Sequence, residues 1–99
     1  RVIVDTVRVT PSRPLAGKPF TLRYRVRLAP PGASLASVRP RCSAVAGTTP
    51  LPGVARLRNG VATCTLRIPR RAAGRVLRAR VGAVRGATAV VAVRSFRIG

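Results

Sequence analysis

Apolar and polar residues alternate with a period of two along most of the chain, the pattern of strands with one buried face. The clearest window spans residues 20–28. Phe20, Leu22, Tyr24, Val26 and Leu28 fall on one side, and Thr21, Arg23, Arg25 and Arg27 on the other. A helix would spread those arginines around its whole circumference. Pro30-Pro31-Gly32 ends the strand. A second strand is predicted over 37–46, with Val38, Cys42, Ala44 and Ala46 on one face and Arg39, Arg41 and Ser43 on the other. Pro40 has no N–H to give a ladder, which puts an edge or a bulge near its start. Asn59-Gly60 is the strongest hairpin signal, because a type I′ turn needs positive φ at both central residues. It joins a short strand over 55–58 to a longer one over 61–68. On the latter Ala62, Cys64, Leu66 and Ile68 oppose Val61, Thr63, Thr65 and Arg67. After a connection over 69–74, Leu77, Ala79, Val81 and Ala83 alternate with Arg78, Arg80 and Gly82. Arg85-Gly86 can turn into a last strand over 90–98. Its consecutive Val90, Val91, Ala92 and Val93 predict a bulge before Phe96. A first strand over 2–9 has an open register around Asp5-Thr6.

Seven short strands, roughly 8–12 residues apart and punctuated by Pro and Gly, predict an all-β chain. The expected architecture is an immunoglobulin- or fibronectin-III-like β-sandwich of about seven antiparallel strands, with a small closed barrel as the alternative. Residues 1–99 read as a single domain, since no internal repeat is visible. The apolar share of 46% is that of a globular chain rather than a disordered one. The longest apolar stretch, 87–93, is interrupted by Thr88 and is far too short for a membrane span. The opening Arg1, with neither Met nor a leader, reads as a mature chain or an excised module.

Composition removes most chemistry. Nineteen Arg and one Lys face a single acid, Asp5, with no His, for a net charge of +19. General acid–base catalysis needs a tunable proton carrier, usually His or a carboxylate pair, so no catalytic residue is assigned. Lys18 lies in an Ala-Gly-Lys-Pro turn, where exposure leaves it unactivated. Cys42, Cys64 and Asp5 are the whole inventory of metal-ligand types, so no metal and no cofactor is expected. Asp5 is expected to bond a nearby Arg or a backbone N–H. So strong a preference for Arg over Lys also fits GC-rich codon usage, since a site needing only positive charge would accept Lys.

Several pieces come in a familiar order: Thr10-Pro11, Ala16-Gly17-Lys18-Pro19-Phe20, Cys42, Asn59-Gly60 with Ala62 and Cys64, Ile68-Pro69, Gly74 with Leu77, and Phe96. Together they resemble the bacterial Ig-like modules of secreted and surface-attached actinobacterial proteins, over nearly the whole chain. The resemblance implies a spacer, stalk or adhesive unit joined to neighbouring domains, with no shared catalytic residues. The net charge departs from that pattern, since such modules are usually less basic.

Cys42 and Cys64 each fall on the inward parity of their own strand, close enough for a disulfide across one core. The alternative is two unrelated buried thiols. A bridge would place the chain in an oxidising compartment, outside the cell or at its surface.

The arginines predict a polyanion-binding surface, because guanidinium stays charged and grips phosphate or carboxylate with two prongs. The candidate residues are Arg23, Arg25, Arg27, Arg39, Arg41, Arg78 and Arg80. The first three form a ridge with a spacing of about 6.7 Å, from a rise near 3.3 Å per residue. In the usual Ig order the other four lie on the opposite sheet. Tyr24 reads as core filling with its hydroxyl at the rim, and no aromatic can be assigned to an outer face. The expectation is therefore a non-catalytic structural or adhesive module with nonspecific affinity for cell-wall polymers, acidic polysaccharide or nucleic acid, and no small-molecule substrate. A dedicated nucleic-acid-binding domain and a scaffold supercharged by design are the alternatives.

Overall fold

The computed structural model describes residues 1–29 and 34–99, so the Pro30-Pro31-Gly32 stop lies outside the described residues. Eight strands follow one another: β1 (Val2–Thr10), β2 (Pro19–Leu28), β3 (Arg39–Ala46), β4 (Thr49–Pro52), β5 (Val54–Arg58), β6 (Val61–Arg67), β7 (Val76–Arg85) and β8 (Thr88–Arg97). A single 3₁₀ turn, Arg70–Ala72, lies between β6 and β7. The strands form two antiparallel sheets, β1-β2-β6-β5 and β4-β3-β7-β8, packed as a β-sandwich. With β4 set aside, the first sheet has the A-B-E-D order and the second the C-F-G order of an immunoglobulin constant-type sandwich.

The strand count is eight rather than seven, and the extra one is β4. Its sequence Thr-Pro-Leu-Pro argues against a strand by propensity. Pro50 and Pro52 share one parity, and β4 pairs only with β3. The missing N–H groups therefore face the open side, where an edge strand tolerates proline. The bulge expected before Phe96 is absent, since the β7–β8 register runs unbroken from Arg85↔Thr88 to Val76↔Arg97. No bulge is needed, because this edge strand leaves Val91 and Val93 exposed instead of burying every apolar residue. The irregularity lies in β1. There the register shifts between Asp5↔Arg25 and Arg8↔Arg23, with Thr6 at φ 54°. The Asn59-Gly60 hairpin has the expected left-handed pair, φ 51° and 77°. Pro40 sits where β3 has lost its outer neighbour, since β4 reaches only as far as Ser43.

The core is made of unequal halves. β2 contributes the bulk through Phe20, Leu22, Tyr24 and Val26, all buried, while the second sheet answers with Ala44, Ala46, Ala79 and Ala83. Large side chains on one sheet facing alanines on the other let the layers interdigitate at native density. Phe20 also meets Phe96 edge-on, with ring centroids 5.2 Å apart. Cys42 on β3 and Cys64 on β6 form a disulfide that ties the two sheets, with 6.1 Å between Cα atoms.

Tyr24 departs from expectation. Its hydroxyl is not at the rim but crosses the core, lying 2.8 Å from the Gly82 carbonyl and 3.0 Å from that of Arg41. One proton serves two acceptors on neighbouring strands, so a single side chain ties the first sheet to β3 and β7. Burial raises its pKa above the ordinary 10.0, because the phenolate would lose its water. A raised folded pKa stabilises the fold below the unfolded value and loses that contribution as pH climbs through the folded one. Stability is therefore expected to fall above about pH 10, with tyrosinate absorbance near 295 nm appearing only as the chain unfolds. Full tyrosinate formation near pH 10 in a still-folded protein would contradict the buried hydroxyl.

Candidate polyanion-binding surface

Strand parity alone sends Arg23, Arg25 and Arg27 of β2 outward, and all three are exposed. Register then supplies their neighbours. Arg8 of β1 stands opposite Arg23, with Thr63 of β6 on the other side and Arg56 of β5 beyond it. One row along, Asp5, Arg25, Val61 and Arg58 lie side by side. The outer face of the first sheet thus carries Arg8, Arg23, Arg25, Arg27, Arg56 and Arg58 around one acid, with Arg67 at the far end of β6.

Asp5 does not neutralise the arginine directly opposite. It takes the diagonal one, with the Arg27 guanidinium donating to its carboxylate at 2.6 Å. The Thr6 hydroxyl lies 3.4 Å from the other carboxylate oxygen. Both partners of the ion pair are substantially exposed, so solvent limits its contribution to about 0–1 kcal/mol.

On the second sheet, Arg39 and Arg41 project from β3 and Arg78 and Arg80 from β7, all exposed. The register staggers them. Arg39 faces Val84, Arg41 faces Gly82, Ser43 faces Arg80 and Val45 faces Arg78. Among the described pairings, Arg8↔Arg23 is the one place where two arginines stand directly opposite. Thr, Val, Ser or Gly fills most of the other positions across from an arginine. That stagger is how a chain of net charge +19 limits its strongest cross-strand repulsion.

Seven candidate arginines therefore divide between two opposite faces, and no single groove gathers them. Arg8, Arg56 and Arg58 join the Arg23 ridge and were missed from sequence. A usable signal existed for two of them. The two-residue Asn59-Gly60 turn pairs Arg58 with Val61 and so Arg56 with Thr63, on the face opposite Ala62 and Cys64. The three aromatics offer no stacking platform, since Phe20 and Tyr24 are buried and Phe96 is half-buried. Among the described residues no three His, Cys, Asp or Glu side chains gather as a metal site. Among the described residues no helix is long and apolar enough to cross a membrane.

No known protein-family model matches this chain, and no curated protein is similar to it.

Residual repulsion is open to test by salt. Raising ionic strength from 0.1 to 1 M shortens the Debye length from about 10 to about 3 Å. The melting temperature is expected to rise across that range. A flat or falling curve would mean that the staggered register has already removed most of the repulsion.

Proposed function

We propose that this chain is a non-catalytic structural and adhesive module of a secreted or cell-surface protein, of bacterial Ig-like type, that holds polyanions by diffuse electrostatic contact. The observation that carries this reading is the spread of exposed arginines over both outer faces, with one acid in the whole chain and that acid already paired with Arg27. Phosphate, sulfate or carboxylate polymers meet such a surface by releasing counterions, which needs no shaped site. The inter-sheet disulfide suits an oxidising environment outside the cell. The geometry of the ends suits modules joined in series. Arg1 bonds Ala29 at one end of the sandwich, and Gly99 bonds Pro14 and Ala16 at the other.

Binding to heparin, duplex DNA and a wall polyphosphate, compared at 50 and 200 mM salt, tests this reading. If about six arginines of the first face neutralise phosphates, affinity falls about 10³-fold over that range. Replacing Arg23, Arg25 and Arg58 together by glutamine should lower the salt slope by about three, roughly one for each phosphate no longer neutralised. Comparable affinity for the three polymers is the expected outcome. Tight binding to duplex DNA alone, surviving about 0.3 M salt, would replace this reading with a dedicated nucleic-acid-binding domain.

A further inference from the structure

Both outer faces carry hollows beside arginines, and the first sheet's, lined by Arg8, Arg23, Arg25 and Val61, is the smaller at about 340 Å³. The outer face of the second sheet is hollowed, and the hollow, about 490 Å³, is lined by Arg41, Ser43, Arg80, Gly82 and Val91 together with the chain crossing from β4 to β5. Its origin is local. Arg41, Gly82 and Val91 stand in one row across β3, β7 and β8, so a residue without a side chain separates an arginine from a valine. β4 stops at Pro52, and Gly53 passes so close over Cys42 that a Cβ there would stand 2.6 Å from its Sγ. The wall on that side therefore stays low.

Arg41 and Arg80 lie on a diagonal of the β3–β7 pair, which brings their Cα atoms within about 7–8 Å. Both arginines line the same hollow, and among the described residues neither side chain donates a hydrogen bond to the protein. The sole acid is on the other sheet, held by Arg27. Two unpaired cations at this spacing are a fork for one anion, with the Ser43 hydroxyl between β4 and Arg80 as a further donor. Val91, 57% exposed, supplies an apolar wall more open than Val61, 40% exposed, gives the Arg23 ridge. Concave shape, converging charge and one apolar side are what a small-ligand site requires.

We propose that this hollow is a discrete site for a small organic anion, a phosphate monoester or carboxylate carrying an apolar body of about one ring. The anionic head lies between Arg41 and Arg80, and the body rests against Val91. The ligand is held and not turned over. Arg41 and Arg80 also belong to the polyanion-binding spread proposed above, but a one-to-one ligand here does not depend on the first-sheet arginines, so either reading can fail without the other.

Calorimetric titration of the intact chain with phenyl phosphate, with inorganic phosphate as comparison, tests it. The expected result is one phenyl phosphate per chain, bound at least about fivefold tighter than inorganic phosphate. Arg41→Gln and Arg80→Gln each weaken binding about tenfold, while Arg23→Gln changes it less than about twofold. Val91→Thr removes most of the preference over inorganic phosphate. All four positions are exposed, and melting curves confirm that each variant is folded. Arg80→Lys keeps the charge but loses the fork, and should recover only part of the affinity. A stoichiometry above one, no preference over inorganic phosphate, or equal losses from Arg23→Gln and Arg80→Gln would overturn the site. Phosphatidylglycerol vesicles form a separate arm. Vesicle binding that depends on Arg80, with no binding of phenyl phosphate in solution, would overturn it in favour of a lipid surface.

Discussion

Replacing Cys42 and Cys64 together by alanine is expected to cost the fold about 3 kcal/mol, from the loop-closure entropy of residues 22 apart in sequence. In a domain of this size that corresponds to a fall in melting temperature of about 12–24 °C. The bridge matters here because few side chains can do the same work. The buried core has two aromatics, Phe20 and Tyr24, both on the first sheet, and the second sheet faces them mainly with alanines. Urea unfolding gives a second readout. An uncrosslinked chain exposes more surface when unfolded, so the denaturant slope should rise as the midpoint falls. Cys42→Ala with Cys64→Ser should lose a further ~1–3 kcal/mol, since Cys64 is fully buried and a hydroxyl there would have no partner. A loss below about 1 kcal/mol for the double alanine variant would show that the sheets hold together without the tie.

Gly82→Ala is expected to be at least as damaging, about 3 kcal/mol or more, for a different reason. A Cβ at this position would stand far inside van der Waals distance of the Val90 carbonyl oxygen, which is backbone and cannot rotate away. Relief requires β7 and β8 to separate, and the Gly82 carbonyl that accepts from Tyr24 would move with them. The expected signature is therefore double: lower stability, and a tyrosine that titrates closer to its ordinary value while the chain is still folded. Gly74→Ala separates steric clash from backbone preference. Gly74 has φ 78° but open space around it, so alanine there pays only the left-handed conformation, about 1–2 kcal/mol. Equal costs at the two positions would mean that β8 yields more easily than the close approach implies.

Much of the sandwich is legible in the order of residues alone. β2 alternates without a break, and its five apolar residues are all buried. Asn59-Gly60 marks its own turn, and the two cysteines carry inward parity on separate strands. Each of these signals lies within a few residues of chain, where strand geometry acts directly. What was illegible depended on neighbours. β4 exists because β3 offers an edge to proline-bearing residues that would otherwise read as a loop. Val90 to Val93 read as a bulge because a strand with four consecutive apolar residues should bury them, yet an edge strand is free to leave half outside. Tyr24 read as a rim residue because nothing in its own strand announces two carbonyl acceptors on the opposite sheet.

The same division runs through the charged surface. That Arg23, Arg25, Arg27, Arg39, Arg41, Arg78 and Arg80 point to solvent is a property of alternation, and the amino-acid order settles it, because successive residues of a strand must face opposite ways. Which of them become neighbours is another matter. Arg8 beside Arg23, Arg27 rather than Arg25 on Asp5, and Arg41 diagonal to Arg80 across a missing side chain all follow from strand order and register. Those are set by contacts between residues far apart in the chain, and so by the folded sandwich as a whole.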